Sequence, residues 1–312
     1  KRISGTGGTI TNSGTADSLL VLAARDVGVV PTVSWAGNIQ DGGSGGKVAV
    51  SITDGGSIGQ VMIFSGTHTY SGTTNIVRNT MRAGATGVFS ANSEFILSNH
   101  TESTLDLNGF DNSVGALSGA NASSKVILDS GTLTVGNLGY SGTFNGIISG
   151  TGGIVKVGTG TLTLAGANTY TGDTTVNNGI LAVDGAAIPD TNKLAINSGG
   201  TVEVIANETV STLFIEGVEM AQGTYGATGS GATNIDDTHF TGSGVLTVGA
   251  GYNSWAALNA GGQTANLDYD LDGVSNGVEY FMNAATGFTA NPGIVSGSVT
   301  WTNGGNIPSS AY

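Results

Sequence analysis

The densest cluster of potential ligands in the 312-residue chain is DYDLDGVSNGVE, Asp268 to Glu279. Asp268, Asp270 and Asp272 stand at alternate positions of a tight loop, and Gly273 supplies the sharp turn that follows them. The Val274 carbonyl comes next, Asn276 reaches the same point directly or through a water, and Glu279 closes the loop as a chelating carboxylate. A hard cation that takes roughly six to eight oxygen ligands fits this spacing, so the loop predicts a Ca²⁺ site. Without an ion, three acidic side chains so close together would repel one another. Tyr252, Trp255, Ala256 and Leu258 precede the loop, and Val278, Tyr280, Phe281 and Met282 follow it, at spacings suited to two short helices. These elements predict a small module over residues 251–290, ordered by the ion it binds.

Other reactive residues are dispersed. His68, His100 and His239 lie far apart in no metal-binding spacing, and each is expected at the surface or in a turn. Asp236 and Asp237 are adjacent, so on a strand their carboxylates would point to opposite faces, a poor pair for glycoside hydrolysis. Cysteine is absent, which removes disulfides, thiolate metal sites and cysteine nucleophiles. Phrases such as GTGG lack the Gly-Lys-Ser/Thr continuation of a phosphate loop. No catalytic residues can be named, and the chain reads as a non-enzyme, with a carbohydrate-binding adhesin or a polysaccharide lyase or hydrolase on a β-helix as the competing readings.

The elements that carry these residues are short strands. Gly numbers 54, Pro only 4, and the remainder is dense in Thr, Ser, Asn, Val and Leu, a mixture suited to strands punctuated by tight turns. In TLTLAG from Thr161 and TTVNNGILAV from Thr174, apolar and polar residues alternate with period two. Leu162, Leu164, Val176, Ile180, Leu181 and Val183 are therefore the candidate core. GTHTYSGTTNI from Gly66 aligns without a gap to GANTYTGDTTV from Gly166, and ISGTGG occurs at both Ile3 and Ile148. Repeated strands too short for an independent sheet bury their apolar faces by stacking, with about 20 to 25 residues per coil. Tyr70 and Tyr170 occupy equivalent positions, either as sugar-stacking platforms or, the favoured reading, as rings covering the core edge at a corner.

The stretch from Gly150 to Gly185 resembles the autotransporter-associated β-strand repeat, also called the passenger-associated transport repeat. TLDLNGFDNSVGALSG from Thr104 is similar to the sequence that joins such repeats. The resemblance implies an all-β fold, a right-handed parallel β-helix or β-solenoid over residues 1–250, secreted or displayed at the surface of a Gram-negative-type bacterium. It implies a structural or adhesive role with no catalytic residues. Residues 251–283 resemble the EF-hand-like or dockerin-like calcium loop that ends many secreted bacterial repeat proteins, and residues 291–312 read as a further strand segment.

Net charge is −13, which disfavours nucleic acid as a partner, and no apolar run approaches the roughly 20 residues of a membrane span. The start at Lys1 reads as a processed terminus. The expected partners are further copies of the chain, in a head-to-tail homo-oligomer or fibre, with surface polysaccharide as the alternative.

Overall fold

The computed structural model describes residues 7–23, 32–53, 59–98 and 103–249. The chain divides into two compact units, Lys1–Val248 and Gly249–Tyr312. All regular structure among the described residues is β. Its strands stack into ten-stranded, seven-stranded and six-stranded sheets, with two smaller sheets of two and four strands. The chain visits the three large sheets in rotation. Lys125–Ile127, Leu133–Val135 and Gly142–Phe144 make one circuit, and Ile147–Ser149, Ile154–Lys156 and Thr161–Leu164 make the next. Every pairing between successive circuits here is parallel, so the described residues of the first unit are built on a β-solenoid. Leu162 pairs with Leu181, and Leu181 with Val202, so a circuit takes about twenty residues.

The period-two pattern sets which side chains enter the core. In Thr161–Leu164 the leucines are buried and the threonines half-buried. Strict register then stacks like on like through the ten-stranded sheet: Leu22, Ile52, Ile76 and Leu97 continue through Gly119, Phe144, Leu164, Val183 and Val204. All of these except the glycine are buried hydrophobic residues. Each such side chain contributes about 1.5–3 kcal/mol through burial, and the contribution requires neighbours above and below. Gly119 is part of the fit, because a Cβ there would lie 2.9 Å from the Phe144 ring. Of the candidate core, Leu162, Leu164, Val176, Leu181 and Val183 are buried, whereas Ile180 is half-buried on the outer face.

The parallel pattern changes after residue 211. Thr212–Ile215 pairs antiparallel with Val218–Glu219 across a hairpin whose two turn residues, Glu216 and Gly217, both have positive φ, of 49° and 80°. That combination is the type I′ turn favoured by two-residue hairpins. The phrase VLTVG from Val245 contributes Leu246–Val248 to the mixed four-stranded sheet, parallel to Glu208–Val210 and antiparallel to Gly223–Gly226.

Candidate functional site

The predicted calcium ligands Asp268, Asp270, Asp272, Val274, Asn276 and Glu279 lie outside the described residues. Among the described residues, no group of three or more His, Asp or Glu side chains is placed to hold a metal ion.

The polar residues inside the solenoid hold its corners. Tyr70 and Tyr170 are completely buried, and their hydroxyls hydrogen-bond to Thr74 and Thr174 Oγ1, at 2.6 Å in both cases. Burial raises both phenol pKa values; the rings lie within the core at a corner and are not exposed sugar platforms. Two residues before each tyrosine stands a second pair of equivalents. Asn168 Oδ1 accepts the Ile148 N–H at 2.8 Å while its Nδ2 donates to the Ala187 carbonyl at 2.6 Å. In the earlier copy His68 takes this place, and its Nδ1 accepts the Ile39 N–H at 3.1 Å. His68 is therefore a core residue, which corrects the expectation of a surface or turn position; burial lowers its pKa to about 4 and keeps the ring neutral. Its Nε2 is buried with no partner among the described residues.

Two buried ionisable side chains follow the same logic. The Glu208 carboxylate accepts the N–H groups of Ala187 and Ile188 at 2.8 and 3.3 Å, while its burial raises its pKa. Lys156 donates to the carbonyls of Val157, Gly158 and Asn178 at 2.8, 2.8 and 3.1 Å, and burial lowers its pKa to about 8. Both side chains satisfy backbone groups that the corner cuts off from the strand ladders. Sequence reasoning missed Lys156, whose setting in IVKVG differs in no obvious way from that of a surface lysine.

The remaining titratable cluster lies where the hairpin and the last circuits meet. His239 Nδ1 lies 2.7 Å from Asp236 Oδ2, and its Nε2 lies 3.7 Å from Glu216 Oε1. Asp236 also accepts the N–H groups of Thr238 and His239, whereas Asp237 accepts from the Thr228 N–H and hydroxyl. The adjacent carboxylates belong to a turn and not to a strand, and their bonds carry them to different partners, so they form no converging acid pair. His239 occupies that turn, and His100 lies outside the described residues.

Outside the core, the ten-stranded sheet presents mainly small, uncharged side chains, including Ser51, Asn75, Ser118, Thr143 and Thr163. The chemistry visible among the described residues is that of a stacked scaffold with a hydroxyl-bearing face.

Two segments, residues 61–77 and 154–183, match the model of the passenger-associated-transport-repeat family. Two stretches of the solenoid are therefore similar to passenger-type repeats. Each matched segment includes the buried tyrosine or the strands around it: the first holds Val61–Phe64, His68, Tyr70 and Thr74–Ile76, and the second holds Ile154–Lys156, Thr161–Leu164, Tyr170 and Thr174–Val176. The chain is 36% identical over 204 residues to the adhesin BmaC autotransporter of Brucella suis biovar 1 (strain 1330), covering 54% of this chain and 6% of that protein. It is 49% identical over 55 residues to an extracellular serine protease of Serratia marcescens, covering 18% of this chain and 5% of that protein. The chain thus spans a small fraction of the length of either relative. No solved structure matches it.

Proposed function

We infer that the solenoid is a non-catalytic, adhesin-type passenger region, exported to the surface of a Gram-negative bacterium or beyond. The observation that carries this reading is the stack of parallel strands, to whose core column and corners the two segments similar to passenger-type repeats, 61–77 and 154–183, both contribute. The likeness to an autotransporter adhesin extends over the longer of the two curated matches, and the likeness to a secreted protease is short. A right-handed coil is the sense such parallel crossovers nearly always take. The role of such a stack is to hold a display surface away from the cell. Antibodies raised against the purified chain should label intact cells of the producing bacterium. Labelling confined to permeabilised cells would contradict the reading.

Two finer proposals accompany it. The loop 268–279 binds Ca²⁺ through the ligand set its spacing supplies, and the ion orders the C-terminal module. Assembly into a head-to-tail fibre is a second reading, favoured by Leu19 and Val21, which are 63% and 52% exposed on Ser18–Ala23, the terminal strand of the ten-stranded sheet. The antiparallel hairpin at residues 212–219 works against the same kind of pairing at the far end of the seven-stranded sheet, since it occupies that edge.

A further inference from the structure

The outer face of the ten-stranded sheet is not uniform. Between Ala116–Gly119 and Gly142–Phe144 the ladder thins to a single residue pair, Gly119 with Phe144, where neighbouring strands pair over three or four. A hollow of about 630 Å³ opens over this point. Among the described residues its lining contains no ionisable side chain, although the chain carries 22 acidic and 9 basic residues. Ser118, Thr143, Thr161 and Thr163 line it, and their hydroxyls have no hydrogen-bond partner among the described residues. They belong to three successive strands of the sheet, and Thr143 is in direct register with Thr163.

A second hollow of about 260 Å³ lies over earlier strands of the same sheet, and Asp17, Lys47, Ala49, Thr73 and Glu94 contribute to its lining. Residues of the loop 136–141 line both. Leu138 anchors that loop, with its N–H donating to the Gly115 carbonyl at 3.0 Å and its side chain filling the space that the missing Gly115 Cβ leaves. Adjacent residues then face different hollows: Ser141 lines the larger and Tyr140 the smaller. Tyr140 is 55% exposed, in contrast to the completely buried Tyr70 and Tyr170.

We propose that this trough binds an extended, uncharged chain of β-linked pyranose sugars lying across the strands, with one ring on Tyr140 and the next rings over the Ser118, Thr143 and Thr163 hydroxyls. The inference rests on the surface-passenger reading and adds a ligand class to it. Three features select this occupant. Strand rungs about 4.8 Å apart present donors and acceptors at close to the repeat of an extended sugar chain. Free hydroxyls on a rigid sheet exchange hydrogen bonds with sugar hydroxyls at little ordering cost. A half-exposed phenol offers a flat apolar surface with a polar tip, suited to the C–H face of a pyranose. The acidic chain, the Asp17 and Glu94 carboxylates beside Tyr140, and the larger hollow's uncharged described lining together disfavour anionic polysaccharides.

The test is titration of the full chain with cellohexaose, and with hexagalacturonate as its acidic counterpart, followed by calorimetry and by chemical shifts. Cellohexaose is expected to bind weakly, in the millimolar range, and hexagalacturonate not to bind. Tyr140→Ala and the isosteric pair Thr143→Val with Thr163→Val should each weaken cellohexaose about fivefold or more while leaving the circular dichroism unchanged. Absence of cellohexaose binding, equal or tighter binding of hexagalacturonate, or full affinity in either folded variant would overturn the proposal. Light scattering that showed self-association abolished by Tyr140→Ala would also overturn it, because the trough would then be a contact between copies. None of these results bears on whether intact cells are labelled, so failure here leaves the passenger reading to its own test.

Discussion

Acid should loosen the early circuits of the solenoid at His68. This residue is neutral in the fold, with its pKa lowered from 6.5 to about 4 by burial, and its Nδ1 holds the Ile39 N–H. Protonation would place a charge in the core and convert the acceptor into a donor facing another donor. For a base whose folded pKa is depressed, the unfolded chain binds more protons between the two values. Its contribution is thus fully present above about pH 6.5 and is lost as pH falls towards 4. A separation of about 2.5 units corresponds to roughly 3 kcal/mol at the acid limit, of which about 2 kcal/mol is lost by pH 5. Because solenoid circuits open locally, the sensitive readout is exchange of the Ile39 amide, corrected for the intrinsic pH dependence of exchange. Protection of that amide should fall by more than tenfold from about pH 7 to about pH 5. His68→Asn installs the residue that Asn168 provides in the equivalent place, and its Oδ1 does not titrate in this range. The variant should lose the acid dependence at the cost of the edge-to-face contact with Phe64, whose centroid lies 5.3 Å away, or about 1 kcal/mol at neutral pH. Equal protection of Ile39 at both pH values, or an unchanged slope in His68→Asn, would refute this reasoning.

Three other outcomes follow from the same structure. Leu164→Asp places an unpaired charge in a fully buried column and should destabilise the surrounding circuits by several kcal/mol, visible as a lowered melting temperature; an unchanged melt would contradict the core assignment. Tyr170→Phe removes the hydroxyl bonded to Thr174 and leaves that threonine buried, a loss of about 1–2 kcal/mol in denaturant titration, with Tyr70→Phe costing less because Thr74 keeps the Ser93 hydroxyl as a partner. Asp270→Ala combined with Glu279→Ala should abolish calcium uptake in calorimetry and leave the β signal of the solenoid intact; the intact chain taking up no calcium would refute the loop assignment.

The stack was legible in the sequence wherever the pattern is simple. TLTL from Thr161 alternates, and its leucines are buried. The hundred-residue correspondence of GTHTY with GANTY identified Tyr70 and Tyr170 as equivalent. Their burial was missed because a tyrosine needs a partner for its hydroxyl, and that partner, a threonine four residues on in both copies, was present but not read. The same alignment sets His68 against Asn168, which carries the information that the histidine replaces a corner amide. The hairpin at Glu216 and Gly217 was obscured because its strands have the same composition as the coils. Tyr140 stands in an irregular loop, where periodicity says nothing about exposure; its role emerges only from the fold of residues 136–141 over Gly115.

The central claim, a folded solenoid displayed outside the cell, can be read in one labelling experiment, because the chain contains no native cysteine. Thr143→Cys places a thiol on the exposed face and Leu164→Cys places one in the core, each as the chain's sole cysteine. A membrane-impermeant maleimide applied to intact cells of the producing bacterium should modify Thr143→Cys at once and spare Leu164→Cys until denaturant is added. Modification of Leu164→Cys in the native state would contradict the fold, and modification of Thr143→Cys only after lysis would contradict the surface location.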